Sequence, residues 1–192
     1  EASLRQLGAE VRRIVGHEDL PWFRVDVPVP DEVTTWASAV GAGEALVIAS
    51  PEYAAGPPGS LKNALDWLVG LGTLYRTPVA VVCAGSTGGP FTIEALVRTL
   101  SYQGAFTVAT LGIGGVRPKL SVDGSLGDAA ALRSVDELAD DLLHAVGADD
   151  AMLLSLMTPI LEPRGVDPGR FGLDAPGAAL VGRQVRLRPV VA

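Results

Sequence analysis

The sequence predicts an α/β protein built on a parallel sheet with helices on both faces. Two observations carry this prediction. Three continuous apolar runs, Ala45–Ala49, Pro78–Cys83 and Phe106–Thr110, read as strands covered on both sides. Between and after them, apolar residues recur at helical spacing, and such alternation implies right-handed crossovers between parallel strands. The chain has 192 residues, 48% of them hydrophobic, with a mean hydropathy of +0.32. That is enough for one domain with a sizeable core, and too apolar for a disordered chain.

The elements follow in order. Residues 1–8 suit the tail of a helix, and Val11–Val15 is a short strand candidate interrupted by Arg12 and Arg13. A Pro-rich connector runs from Leu20 to Pro30. Asp31 is placed to cap a helix whose apolar positions are Val33, Trp36, Ala37 and Val40. After the strand Ala45–Ala49, a helix starts at Gly59 or Ser60 and carries Leu61, Ala64, Leu65, Leu68 and Val69 on one stripe. The strand Pro78–Cys83 leads to a helix bearing Ile93, Leu96, Val97 and Leu100, which Gly104 ends. Beyond the strand Phe106–Thr110, Leu132, Val135, Leu138, Leu142 and Val146 mark a last amphipathic helix, stopped by Gly147.

The predicted domain therefore covers residues 1–147, and residues 148–192 form an arm rich in Pro, Gly and Arg. Met152–Leu156 suits a short helix or strand. Gln184–Val191 suits a strand, but Pro189 makes it a poor central one. Arg164, Arg170, Arg183, Arg186 and Arg188 stand here against Glu162, Asp167 and Asp174. The arm reads as an extended wrap around the domain or a partner subunit, or as a lid whose arginines meet an anionic phosphate.

Composition excludes several classes. A net charge of -7 argues against a nucleic-acid or anionic-membrane surface. No apolar run approaches the roughly 18 residues of a membrane span. Glu1-Ala2-Ser3 opens neither with Met nor with a secretory signal, so the start is expected to lie within a longer reading frame. The single Cys83 excludes an intrachain disulfide and fits a reducing, cytoplasmic setting. His17 and His144 are isolated, so no metal site is predicted. Gly112-Ile113-Gly114-Gly115 completes neither a dinucleotide fingerprint nor a Walker loop, and no Gly-x-Ser-x-Gly elbow occurs. Cys83, ending a strand, reads as an inert buried thiol rather than a nucleophile.

Two loops carry the chemistry. Ser50-Pro51-Glu52-Tyr53-Ala54-Ala55-Gly56-Pro57-Pro58-Gly59 joins a strand to a helix at the carboxyl edge of the sheet, where α/β proteins bind ligands. Its prolines restrict the backbone while its glycines permit dihedrals that other residues avoid. A loop of this kind can hold N–H groups toward the edge of a flat heterocycle. Ala84-Gly85-Ser86-Thr87-Gly88-Gly89-Pro90 is a second such loop, at the end of the next strand, opening a helix whose N-terminus favours electron-rich groups. Either loop alone suits a structural turn. Together they form a crevice.

Pro51-Glu52-Tyr53, Pro58-Gly59-Ser60-Leu61-Lys62-Asn63-Ala64-Leu65-Asp66-Trp67 and Ser86-Thr87-Gly88-Gly89 resemble signatures of the flavodoxin-like NAD(P)H-dependent FMN reductases, with similarity over roughly residues 9–146. The resemblance implies a flavodoxin-like three-layer sandwich. It implies that Pro51, Glu52, Tyr53 and Ala54 border the isoalloxazine on one side and Ser86, Thr87, Gly88 and Gly89 on the other. It implies FMN and NAD(P)H as cofactors, and a homodimer or tetramer through helix 60–70. In that family the chain begins with a central strand and a Gly-Ser-x-Arg-type loop for the FMN phosphate. Neither occurs here, so the first strand is expected to be missing from an incomplete chain, or replaced by the tail around Val185–Val191 or by a partner. Ala54 also stands where the family commonly has Asn.

The function implied is two-step electron transfer from reduced nicotinamide through flavin to a flavin, quinone or similar small-molecule acceptor. The cofactor supplies the difficult chemistry, so no catalytic side chain is named. Tyr53 suits either a residue flanking the ring or a buried structural tyrosine; Trp22, Trp36 and Trp67 read as packing residues, and Tyr102 is unassigned. The alternatives are a flavodoxin-like interaction subunit that has lost flavin binding, and an electron carrier without nicotinamide turnover.

Overall fold

A computed structural model describes residues 1–173, and within them a parallel sheet has the strand order β1-β2-β3. The strands are β1 (Leu46–Ser50), β2 (Pro78–Ala84) and β3 (Phe106–Ile113). Leu46 lies opposite Val79 and Ser50 opposite Cys83 across the first pair. Pro78 lies opposite Phe106 and Ala84 opposite Ile113 across the second, with an irregularity between Val79 and Ala80. The helices are α1 (Ala2–Gln6), α2 (Asp31–Gly41), α3 (Gly59–Leu71), α4 (Pro90–Tyr102), α5 (Ala129–Ala145) and α6 (Asp150–Leu161).

Successive strand residues point to opposite faces. In β2, Pro78, Val79, Ala80 and Val81 are all buried, so both faces are covered. α4 and α5 both pack on β2 and β3, and α1 lies against α5. The result is a layer of helices on each side of β2 and β3; β1, predicted to be covered on both faces, buries Ile48 and Ser50 but leaves Val47 and Ala49 exposed. The core is built from Val79, Val81, Leu96, Leu100 and Val108 together with Leu68 and Leu74.

Local chemistry sets the element ends. Pro30, rather than Asp31, is the N-cap of α2, and no side chain caps it. Asp31 and Glu32 instead place negative charge in the first turn, against the helix dipole. Asp128 caps α5 by accepting from Ala131 N–H, and Asp149 caps α6 by accepting from Met152 N–H. Gly104 ends α4 in the left-handed region, and its lack of a side chain makes room for the Tyr75 ring.

Four expectations are corrected. Val11–Val15 is not a strand; no strand of the described chain lies beside it, and a lone extended segment has no ladder to join. Val69 and Leu132, placed on apolar stripes, are 57% and 39% exposed; the buried face of α5 is set instead by Ala131, Leu138, Ala139, Leu142 and Ala145. Trp22 is not a packing residue but is 78% exposed. The first part of the arm is helical rather than extended: Leu153, Met157 and Leu161 of α6 join the same core and pack against β3. The predicted strand Gln184–Val191, with Arg183, Arg186 and Arg188, lies outside the described residues.

Candidate functional site

β1 and β2 both end at the carboxyl edge, and the two predicted loops leave from there. The first closes on itself: Tyr53 N–H donates to Gly56 C=O at 2.9 Å, and Gly56 N–H returns to Tyr53 C=O at 3.1 Å. Between them Ala54 (φ 50°) and Ala55 (φ 58°) are both left-handed. This is the two-residue turn normally filled by Asn-Gly, held here by alanines that meet a steric cost. Backbone strain of this kind recurs at functional sites. Tyr53 is 65% exposed, which excludes a buried structural tyrosine and leaves its ring available beside a ligand.

The second loop is zipped to the end of β3. Gly85 N–H donates to Ile113 C=O at 3.1 Å and Gly115 N–H to Ser86 C=O at 3.0 Å. Gly88 and Gly112 meet so closely that a Cβ on Gly112 would lie 2.6 Å from Gly88 O. The Gly112–Gly115 run thus has a purpose that motif reading missed: it admits the second loop against the β3 end. Gly89, at φ 68°, is the N-cap of α4 and sits on Cys83, whose Cβ would lie 2.6 Å from an added Gly89 Cβ.

One side chain joins the two loops. Glu52 accepts from Thr92 N–H at 2.9 Å with Oε2 and from the Thr87 hydroxyl at 3.3 Å with Oε1. Gly89 has no side chain to cap α4, so the Glu52 carboxylate, from a different loop, takes the N3 amide and faces the positive end of the helix dipole. Burial, and secondly the Glu52 carboxylate, push the Cys83 thiol pKa up. Cys83 is fully buried and remains a neutral thiol, as predicted.

The Asn63-to-Trp67 segment of α3 serves the frame. Asn63 Oδ1 accepts from Phe23 N–H at 2.7 Å, and its amide donates to Pro21 C=O at 3.0 Å. Trp67 Nε1 donates to the same carbonyl at 2.8 Å, and its ring meets Phe23 edge-on. One turn of α3 thereby clasps the Pro-rich connector, a long-range role no local pattern discloses.

A flat heterocycle fits this edge. The N–H groups of exposed Ala54, Ala55 and Ser86 make no hydrogen bond within the described chain, whereas Gly88 and Gly89 are buried, packed on Gly112 and Gly114 and on Cys83. The Glu52 charge is turned inward and does not oppose an electron-rich ring. Among the described residues, no strand pairs with the outer edge of β1. No group of three or more metal-ligating side chains gathers among them either.

Comparison with known proteins gives the family and the fold. A family model described as NADPH-dependent FMN reductase matches residues 1–114. Among solved structures, FerB, a flavoenzyme NAD(P)H:(acceptor) oxidoreductase from Paracoccus denitrificans, superposes with a TM-score of 0.63 at 22% identity, covering 76% of this chain and 86% of that one. It shows the flavodoxin-like fold. An oxidoreductase from Corynebacterium diphtheriae (TM-score 0.48, 21% identity, 62% of this chain and 63% of that one) is more distant. So is general stress protein 14 of Treponema denticola in complex with FMN (0.37, 17%, 60% and 71%). A search of curated proteins finds no match. With more than half of its residues matched, the chain belongs to the NADPH-dependent FMN reductase family, with FMN as cofactor and NAD(P)H as electron donor.

Proposed function

We propose that this oxidoreductase passes two electrons from NAD(P)H, by way of FMN, to a flavin, quinone or similar small-molecule acceptor. FMN, when bound, supplies the redox chemistry. Pro51, Glu52, Tyr53 and Ala54 border its ring on one side and Ser86, Thr87, Gly88 and Gly89 on the other. The observation that carries this reading is the Glu52 bridge, which fixes both loops relative to α4. The free N–H groups of Ala54, Ala55 and Ser86 orient the ring edges, and Tyr53 shields one side from water. No side chain has to move a proton.

Exposed Val69 and Leu71 on α3 support a homodimer or tetramer through this helix, and the lone free Cys83 supports a cytoplasmic setting. No helix of the described residues is long and apolar enough to cross a membrane. A second reading, an interaction subunit that has lost flavin binding, is favoured by the unpaired outer edge of β1, beside which no phosphate loop stands among the described residues.

Anaerobic addition of NADPH to the FMN-loaded protein tests the proposal. Bleaching of the visible flavin band, reversed by benzoquinone, is expected. Failure to bind FMN selects the interaction subunit, and binding without bleaching selects an electron carrier.

A further inference from the structure

Glu52 is the one carboxylate in the two loops that border the crevice. It is partly buried between them, with Oε2 accepting from Thr92 N–H at 2.9 Å and Oε1 from the Thr87 hydroxyl at 3.3 Å. No Lys, Arg or His of the described residues forms an ion pair with it. Lys62, the cation nearest in sequence, is closed on Asp66 along α3. The positive end of α4 supplies the equivalent of roughly half a charge, which leaves the carboxylate incompletely balanced. A neutral Ser or Asn would satisfy the Thr92 N–H as a cap, so capping alone does not call for a full charge. The field of Glu52 also reaches beyond its own contacts. Burial first, and the Glu52 charge second, push up the pKa of the Cys83 thiol at the end of β2.

A neutral ring docked at this edge meets no repulsion from a carboxylate turned inward. Reduction changes that. Hydride from NAD(P)H brings two electrons and one proton, so the ring gains one full negative charge until a second proton arrives or the acceptor removes the electrons. A partly buried charge is weakly screened, and like charges raise each other's energy. On the flavin reading proposed above, we infer that Glu52 tunes the cofactor: its unbalanced charge disfavours reduced FMN relative to oxidised FMN and lowers the reduction potential. A lower potential makes onward transfer more favourable. It extends the acceptors within reach toward weak oxidants, of which free flavin is one.

The two-electron potential of bound FMN, measured by equilibration with a reference dye, tests the inference on the wild type and three variants. Glu52→Gln keeps an acceptor oxygen for Thr92. It should favour reduced over oxidised FMN about tenfold more than the wild type does, a rise of about 30 mV. Glu52→Ala should rise by a similar amount, although it loosens the loops further. Glu52→Asp keeps the charge on a shorter stem and should stay within about threefold of the wild type. The potential then follows charge, while the melting temperature follows the loop contacts. An equal potential in wild type and Glu52→Gln overturns the inference. So does a rise in Glu52→Asp as large as that in Glu52→Gln, which assigns the effect to loop geometry. A wild type that binds no FMN overturns the flavin reading and this inference with it, so the two failures are told apart.

Discussion

Replacing Glu52 by alanine removes the link between the two loops, and its cost can be worked out from the contacts. The Thr92 N–H loses a charged acceptor at 2.9 Å, the equivalent of an N-cap, worth about 1 kcal/mol. The loss of a negative charge at the positive end of α4 adds roughly 0.5 kcal/mol. The Thr87 hydroxyl contact, at 3.3 Å, is long and adds at most about 0.5 kcal/mol. The total of about 2 kcal/mol corresponds to a melting temperature lower by roughly 4–8 °C for a domain of this size. Glu52→Gln keeps an acceptor oxygen for Thr92 and loses chiefly the charge, so it should fall by only about 1–3 °C. Scanning calorimetry of the three proteins measures this directly. FMN affinity, read by quenching of flavin fluorescence, should decline in the same order because the loops lose their fixed separation. An unchanged melting temperature and unchanged FMN affinity in Glu52→Ala would refute the reasoning.

Three further outcomes follow from the same geometry. Gly89→Ala forces a left-handed alanine whose Cβ meets Cys83, so a loss of about 3 kcal/mol or more is expected in urea unfolding, only partly relieved by adding Cys83→Ala. The double change Ala54→Asn, Ala55→Gly gives the turn the residues it favours and should raise the melting temperature by roughly 2–4 °C, provided Tyr53 and Gly56 keep their paired hydrogen bonds. The third concerns the thiol of Cys83, whose folded-state pKa is raised, so the unfolded chain releases that proton first. Its contribution to stability is complete below the unfolded thiol pKa of about 8.5 and is lost as pH rises through the folded value. A Cys83→Ala variant should therefore lose less stability than the wild type between neutral and strongly alkaline pH.

The sheet was legible because β1, β2 and β3 are short apolar runs, a property each run shows by itself, although β1 leaves Val47 and Ala49 exposed. α6 was not legible. Met152, Leu153, Leu154, Leu156, Met157, Ile160 and Leu161 surround it with apolar residues and leave no clear stripe, and Pro159 interrupts its last turn. It packs against β3, which lies far from it in the chain. Val11–Val15 failed for the converse reason: its pattern suits a strand, yet a strand requires a neighbour. At the site, the Pro/Gly loops announced themselves through residue type. Their coupling did not, because Glu52 reaches Thr87 and Thr92 across 35 and 40 residues. The exposure of Trp22 and the clasp of Asn63 and Trp67 on Pro21 likewise depend on where the connector lies, which local periodicity does not encode.

The central claim is that the two loops joined by Glu52 recognise the flavin ring itself. Titration of the protein with riboflavin, which has the ring but no phosphate, tests it most directly. The account predicts saturable quenching of riboflavin fluorescence, weakened by Glu52→Ala. Absence of any saturable binding of riboflavin by the wild-type protein would contradict it.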